Sequence, residues 1–180
     1  MSKDFTHIYN SPVGKLTLAS DGENLVGLWF DGDRHFCKDL NAEHEENSGL
    51  PIFKQADLWL DIYFSGREPD FTPPLSIRGS EFRKQVLRIL LKIPYEKTAT
   101  YGKIADKIAK ERGIKKMSAQ AVVGAVGNNP ISIIIPCHRV VGAGGNLTGY
   151  GGGIARKIKL LETEHVDMSR FFTPKKGNAL

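Results

Sequence analysis

The stretch IIIPCHRVVGAGGNLTGYGGG, residues 133–153, combines an apolar run, a Cys-His pair and a glycine-rich segment. The apolar run ISIII, residues 131–135, is short and rich in β-branched residues, which predicts a buried strand that Pro136 ends. Cys137 and His138 follow at once, so the pattern places a nucleophile and a base at the end of a buried element. The glycines after them permit tight turns or the close approach of a ligand to the backbone.

The sequence on both sides of this stretch predicts helices. Before it, Ser80, Thr100 and Ser118 each precede a run with helical spacing, and all three are residue types that cap helix N-termini. The last two of these helices are joined by a short basic turn and resemble a helix-turn-helix, which is a weak signal alone because many helical pairs bind nothing. After the stretch, IARKIKLLETE, residues 154–164, predicts a helix that closes the domain.

The first part of the chain has a different pattern. FTHIYN, KLTLAS and LVGLWF predict three short strands of an antiparallel meander, because turn residues separate them. The acidic stretch 31–49 has no clear period and predicts a loop or an irregular helix. Residues 51–64 have apolar side chains at helical spacing, with Pro51 suited to a first turn and Gly66 as the stop.

Charge changes sign along the chain. Residues 1–75 carry 6 Lys and Arg against 13 Asp and Glu, whereas residues 76–180 carry 19 against 7, so the net charges are −7 and +12. The change coincides with the proline-rich segment EPDFTPPLSIRG, which predicts a domain boundary. We therefore expect an N-terminal domain of residues 1–75, a C-terminal domain of residues 76–166 and a polar, frayed tail of residues 167–180. A basic domain suits a polyanion, although charge alone serves solubility equally well.

Composition excludes several classes of protein. No apolar run approaches the roughly 20 residues of a membrane span, and the N-terminus lacks the apolar stretch of a secretory signal. The two cysteines, Cys37 and Cys137, lie far apart, which predicts free thiols in an intracellular protein. His35, Cys37 and His44 are too few ligands at recognised spacing for a zinc site, so Cys37 is interpreted as a packing residue.

The PCHRV core, Pro136 to Val140, resembles the active-site signature of methylated-DNA–protein-cysteine methyltransferases, the alkylguanine-DNA alkyltransferase family. The resemblance extends through NNP at 128–130, the Tyr-Gly pair at 101–102 and SEFRKQVLRIL, and covers roughly residues 60–165. It implies an α+β fold with a small RNase-H-like N-terminal domain and a winged-helix-like, DNA-binding C-terminal domain. It also implies direct DNA repair, in which Cys137 takes an alkyl group from the oxygen at position six of guanine.

The chemistry of the residues agrees with this resemblance. Removing an alkyl group from an aryl ether needs a soft nucleophile, and a thiolate is the best one that proteins offer. In the family, the histidine of the motif, here His138, assists the cysteine through a water, and a carboxylate on the next helix, here Glu164, orients the histidine. The product is a thioether, which does not hydrolyse, so each molecule is expected to act once and without a cofactor.

The resemblance also assigns the pocket and the DNA contacts. Tyr101 would contact the flipped guanine and rotate its phosphate, while Val140 faces the base and Tyr150 walls the pocket. Asn129 would stabilise the turn before Cys137. The ordinary alternative for each tyrosine is a packing residue. Six residues are expected to contact DNA: Ser118, Gln120, Ala121, Lys115, Lys116 and Arg139.

Two residues depart from the family pattern. Gln120 stands where many members have an arginine that enters the duplex, so we expect weaker DNA affinity or a greater dependence on Lys115 and Lys116. Gly151 stands where a serine is common, and its backbone N–H remains as a donor to the guanine oxygen. The smaller residue predicts a more open pocket that admits larger alkyl groups.

Other classes of protein remain as alternatives. A cysteine hydrolase also pairs Cys with His, but its histidine normally comes from a distant segment. A non-catalytic binder of alkylated DNA is the leading alternative, although such relatives lack the cysteine. A methylation-sensing regulator usually carries an added metal domain. We expect a monomeric, cytoplasmic protein, nuclear if the host has a nucleus, whose partner is double-stranded DNA with alkylated guanine; O4-alkylthymine is a second candidate substrate.

Overall fold

The structure is a computed structural model that describes residues 3–174. The chain forms two compact units. One contains the chain up to Arg78 together with Pro130–Ile134, and the other contains Gly79–Asn129 and the chain from Ile135 onward. The prediction of two contiguous segments did not include this return of Pro130–Ile134 to the first unit.

The first unit is built on a four-stranded sheet in the order β3-β2-β1-β4. The predicted meander is confirmed as β1 (Asp4–Ser11), β2 (Gly14–Ser20) and β3 (Leu25–Phe30), with antiparallel pairing throughout. All six residues of β3 are buried, so this strand lies in the core of the unit. Helix α1 (Pro51–Phe64) has the predicted bounds, and Gly66 follows it at a positive φ of 80°.

The acidic stretch 31–49 differs in part from its prediction. Most of it forms turns, but His44–Glu46 forms a strand, β4, that pairs in parallel with β1. All three residues of β4 are polar and exposed. The segment therefore lacks the alternation of apolar and polar residues from which a strand is predicted. Its pairing depends on β1, which lies about 40 residues earlier in the chain.

The second unit is mainly helical. It contains α2 (Glu81–Leu90), α3 (Tyr101–Arg112), α4 (Ala119–Gly127) and α5 (Ile154–Thr163), and a two-stranded parallel sheet of β5 (Ala99–Thr100) and β6 (Val140–Val141). The three predicted caps are confirmed, because the hydroxyls of Ser80, Thr100 and Ser118 accept the backbone N–H of the third residue after each. The mixture of sheet and helices agrees with the predicted α+β class.

The predicted strand at residues 131–135 is wrong. The segment is fully buried, but it forms turns and a single bridge between Ile131 and Leu28. Ile133 has a φ of 69°, which a β-branched residue rarely adopts and which turns the chain out of an extended path. An apolar run predicts burial, and burial alone does not distinguish a strand from a buried turn.

The tail prediction is also wrong for its described part. Met168–Arg170 forms a 3-10 turn, and Phe171 packs against a buried cluster of Val141, Leu147, Leu161 and Val166. Residues 175–180 lie outside the described part of the chain. Between residues 3 and 174, no helix is long and apolar enough to cross a membrane.

Candidate active site

Cys137 is the first residue of a 3-10 turn, Cys137–Arg139, that begins after Pro136. Its side chain is buried, and its backbone N–H donates to the carbonyl oxygen of Ile135 at 2.8 Å. Since β6 begins directly after the turn, Cys137 is held between a buried segment and a strand. The sulfur therefore has a fixed position in the interior of the second unit.

Asn129 holds both this turn and the sulfur. Its side-chain Nδ2 donates to the carbonyl oxygen of Ile135 at 2.8 Å and to Cys137 Sγ at 3.1 Å. Asn129 is itself buried, so both bonds form away from bulk water. A donor aimed at sulfur favours the thiolate over the thiol. The residue predicted to stabilise the turn thus also contacts the predicted nucleophile.

His138 and Glu164 form a fully buried pair. Nε2 of His138 lies 2.5 Å from Oε1 of Glu164, and neither side chain is exposed to solvent. Because a carboxylate accepts, this contact assigns the proton of neutral His138 to Nε2. Nδ1 is then the basic nitrogen of the ring.

Arg139 completes the network around the carboxylate. Its Nε donates to Oε2 of Glu164 at 2.9 Å, its Nη2 donates to Oε1 at 3.0 Å, and its Nη1 donates to the carbonyl oxygen of Ile93 at 2.7 Å. The guanidinium also lies over the ring of Tyr95. Arg139 was expected to contact DNA, and the structure instead places its charge in the interior. This expectation is corrected, because the side chain is 10% exposed and its donors are directed to buried acceptors.

Burial and the neighbouring charges shift the titration of the pair. Burial lowers the pKa of His138 below 6.5; Glu164 opposes this shift, while Arg139 and Lys157 add to it. Burial alone would raise the pKa of Glu164, but His138 and Arg139 outweigh it and lower that pKa to about 2. At neutral pH, the site therefore holds a neutral imidazole beside a permanent carboxylate.

Lys157 is a site residue that the sequence reasoning missed. It is fully buried on α5, and its Nζ donates to the carbonyl oxygens of Val140 at 2.5 Å and Thr148 at 2.9 Å. Burial lowers its pKa to about 8, and the charge of Cys137 opposes the shift. A signal was present, because Lys157, Leu160, Leu161 and Glu164 share one helical face.

The predicted pocket residues lie on the glycine-rich loop, residues 142–153, and on the elements beside it. Val140 and Tyr150 are buried, and Gly151 is half-buried. Tyr101, the first residue of α3, directs its hydroxyl to the carbonyl oxygens of Gly149 at 3.3 Å and Thr148 at 3.5 Å. Burial raises the pKa of Tyr101, and the charge of Cys137 adds to the rise, so this phenol remains protonated.

The other five predicted DNA-contacting residues lie at the start of α4 and in the turn before it. Ser118, Gln120, Ala121, Lys115 and Lys116 are all exposed. On the opposite face of α4, Val122, Ala125 and Val126 are buried, which fixes the orientation of the helix. The structure thus separates an exposed group on α4 from the buried group around Cys137.

Both parts of the chain match known protein families. The family described as "6-O-methylguanine DNA methyltransferase, DNA binding domain" matches residues 81–166. The family described as "6-O-methylguanine DNA methyltransferase, ribonuclease-like domain" matches residues 5–77. The methylated-DNA–protein-cysteine methyltransferase of Mycobacterium tuberculosis (strain ATCC 25618 / H37Rv) is 44% identical over 161 residues, which are 86% of this chain and 88% of that protein. The Haemophilus influenzae protein of the same name is 38% identical over 159 residues, which are 88% of this chain and 84% of that protein.

Solved structures give the same result. A crystal structure of Mycobacterium tuberculosis OGT in complex with DNA has a TM-score of 0.77 at 42% identity, with 90% of this chain and 92% of that chain covered. The structure of an O6-methylguanine DNA methyltransferase from Methanococcus jannaschii has a TM-score of 0.59 at 28% identity, with 95% of this chain and 100% of that chain covered. The buried Cys-His-Glu group and the matches over both units agree, and the chain belongs to the methylated-DNA–protein-cysteine methyltransferase family.

Proposed function

We propose that this chain repairs duplex DNA by moving the alkyl group of O6-alkylguanine onto Sγ of Cys137. The observation that carries the proposal is the placement of Cys137. Its sulfur accepts a hydrogen bond from the side-chain amide of Asn129, and the next residue, His138, is hydrogen-bonded to Glu164. A buried thiol with a directed donor and an adjacent neutral imidazole is arranged for nucleophilic attack. Membership of the family supports the same activity.

The proton of the thiol goes to His138. Because Nε2 of His138 is hydrogen-bonded to Glu164, Nδ1 is the nitrogen that accepts the proton. The proton passes through a bridging water, as in the family. Burial, by lowering the pKa of His138, keeps the imidazole neutral and ready to accept at physiological pH. Arg139 keeps Glu164 ionised and fixed, which makes Arg139 a positioning residue.

The transfer breaks one bond and forms one. The thiolate attacks the alkyl carbon, the carbon–oxygen bond breaks, and its electron pair goes to the guanine oxygen. Restored guanine takes up one proton, which balances the one that His138 accepted. Cys137 becomes a thioether, which water does not cleave, so the protein is used once.

Access to the base depends on α4. Its exposed residues Gln120 and Ala121, with Lys115 and Lys116 before it, form the surface that meets DNA. The damaged nucleotide is flipped out of the stack, and Gln120 occupies its place with hydrogen bonds and no charge. Phosphate contacts from the lysines then supply affinity that depends on salt.

The flipped base is held by residues on two sides. Tyr101, Val140 and Tyr150 surround it, and the N–H of Gly151 donates to the guanine oxygen. Because Gly151 has no side chain, the pocket admits alkyl groups larger than methyl, and O4-alkylthymine is a second substrate. The protein acts as a monomer in the cytoplasm, or in the nucleus of a host that has one.

Mass spectrometry of the intact protein, with peptide mapping, tests the proposal directly. The protein is mixed with duplex DNA that carries one O6-methylguanine, and a single added methyl group is expected on Cys137. A second dose of damaged DNA should stay unrepaired. The control is Cys137→Ser, which should bind the same DNA and gain no mass. Binding by the wild type without a mass change would instead identify a non-catalytic binder of alkylated DNA.

A further inference from the structure

The chain after α5 returns to the glycine-rich loop. Asp167 begins this return by accepting the backbone N–H of Ser169 at 3.0 Å, which caps the turn Met168–Arg170. Phe171 and Phe172 follow in extended conformation. We name residues 168–172 the C-terminal strap.

The C-terminal strap is bonded to the loop through backbone groups. The N–H of Leu147 donates to the carbonyl oxygen of Phe172 at 2.9 Å, and the N–H of Phe172 donates to the carbonyl oxygen of Gly145 at 3.0 Å. These two bonds form a short parallel bridge at Asn146. Phe171 adds apolar contact to the cluster that contains Leu147. The segment is therefore fastened by directed bonds as well as by packing.

Gly145 permits this close approach. It has a φ of 90°, and a Cβ at this position would lie 2.3 Å from the carbonyl oxygen of Arg170, which is too short for any real contact. Gly144 also has a positive φ, of 69°, but a Cβ there would meet nothing within 4 Å. Of these two neighbours, only Gly145 needs to be glycine because of the C-terminal strap.

The part of the loop that the C-terminal strap holds leads directly to residues that are proposed to line the pocket. After Leu147, the carbonyl oxygen of Thr148 accepts from Lys157, and that of Gly149 accepts from Tyr101. Tyr150, which is proposed above to line the pocket, is the next residue and is buried. Each residue from Leu147 to Gly149 thus has an anchor, and the C-terminal strap supplies the first of them.

We propose that the C-terminal strap is a positioning element for the alkyl pocket, which sets the location of Tyr150 and thereby the size of alkyl group that reacts. The inference rests on the proposed function, because it gives a role to residues outside the pocket in that same reaction. Active-site geometry tolerates little displacement, and a shift of about 1 Å can cost up to about a hundredfold in rate. Release of the strap should therefore change transfer without changing affinity for undamaged duplex DNA, since α4 is not touched.

The test compares Gly145→Ala with Gly144→Ala. Both substitutions place a side chain at positive φ, but only Gly145→Ala displaces the C-terminal strap. We measure transfer from duplexes that carry O6-methylguanine or O6-benzylguanine, DNA affinity, and hydrogen exchange of the loop amides. Gly145→Ala should lower the methyl rate constant about tenfold, raise the benzyl-to-methyl ratio and speed exchange at residue 147, with unchanged affinity for undamaged duplex DNA. Gly144→Ala should keep the wild-type ratio.

A second pair of variants avoids the strain at positive φ. Phe172→Pro removes the N–H that donates to Gly145, whereas Phe172→Ala keeps it and trims a side chain that is 50% exposed. Phe172→Pro should repeat the changes of Gly145→Ala, and Phe172→Ala should not. Equal benzyl-to-methyl ratios in all four variants and the wild type would overturn the inference and leave the proposed function standing. A wild-type protein that transfers no alkyl group would overturn both.

Discussion

Each unit of the chain holds a histidine bonded to a carboxylate, and the two pairs differ in burial and in the groups that surround the carboxylate. In the first unit, His7 Nε2 lies 2.9 Å from Asp57 and its Nδ1 lies 2.9 Å from Ser48 Oγ, with Phe53 beside the ring. In the second unit, the pair is His138 and Glu164. Ser48, His7 and Asp57 thus have the connectivity of a hydrolase triad, and the reactive site is nevertheless assigned to the other unit.

The physical difference is in the surroundings of the carboxylate. Asp57 is 34% exposed, and burial raises its pKa while His7 opposes the rise. Glu164 is fully buried, and His138 together with the guanidinium of Arg139 lowers its pKa to about 2 against the effect of burial. A chain of hydrogen bonds therefore does not identify a catalytic group by itself. A dry environment, a guanidinium bonded to the carboxylate and a buried cysteine next in the sequence distinguish the second pair from the first.

The largest expected effect separates the two carboxylates. Glu164→Gln removes the charge that orients His138, so the rate constant for methyl transfer should fall roughly 10²-fold. Asp57→Asn makes the same chemical change in the first unit and should leave the rate unchanged. Single-turnover assays on duplex DNA measure both, after circular dichroism shows that each variant is folded. A wild-type rate in Glu164→Gln would mean that the buried pair is only structural.

The second expected effect is on stability and concerns the arginine. Arg139→Met leaves Glu164 buried without its cation, which should lower the free energy of unfolding by about 3 kcal/mol. Lys3→Met removes the exposed pair with Glu45 in the first unit and should cost less than about 1 kcal/mol. Urea denaturation at pH 7 gives both values. Similar losses of unfolding free energy in the two variants would contradict the prediction that a buried ion pair costs more to break than an exposed one.

The third prediction uses the pH dependence of stability. Below pH 6.5, the unfolded chain binds a proton at His138 that the folded chain does not, because burial lowers the folded pKa. The free energy of unfolding should therefore decrease as pH falls from 6.5 towards that pKa, by up to about 1.4 kcal/mol per pH unit from this group. His138→Phe should lower the number of protons taken up on unfolding by about one, and the slope of the free energy of unfolding against pH should fall accordingly. Urea titrations at successive pH values measure this slope. An unchanged slope would place the titrating group elsewhere.

The smallest expected effect is at the surface. The first 75 residues are acidic and the remainder is basic, yet Gln120 brings no charge to the exposed start of α4. Gln120→Arg should strengthen binding to duplex DNA a few-fold and make the slope of log K against log salt steeper by about 0.9. Fluorescence anisotropy at several salt concentrations measures both. An unchanged salt slope would show that residue 120 does not neutralise a phosphate.

Local signals predicted much of this fold. Ser80, Thr100 and Ser118 were recognised as caps because a cap interacts with a backbone N–H only three residues away. The motif around Cys137 identified the chemistry for a similar reason, since the nucleophile and its histidine are adjacent in the sequence. Short-range geometry is encoded in short stretches of sequence, and such features can be read from one chain.

Long-range contacts account for what the sequence did not predict. The charge of Arg139 was expected at the surface, because nothing nearby in the sequence shows that Glu164 and Ile93 accept its donors. Lys157 was overlooked because a lysine is seldom buried, although its position on the apolar face of α5 was visible. The strand β4 depends on pairing with β1, and the turn at Ile133 depends on its tertiary surroundings.

The return of Pro130–Ile134 to the first unit has a consequence for synthesis on the ribosome. Strand β3 is an edge of its sheet, and Leu28 exchanges backbone hydrogen bonds with Pro130 and Ser132. The N-terminal sheet therefore completes this edge only after residue 132 has emerged, which is several seconds after residue 78 at about 5–20 residues per second. During that interval, the growing chain leaves the backbone groups of Leu28 on this apolar edge strand unpaired, although Leu25 can already bond Pro74 and Ser76. An exposed apolar edge of this kind is a site for chaperone binding and for aggregation.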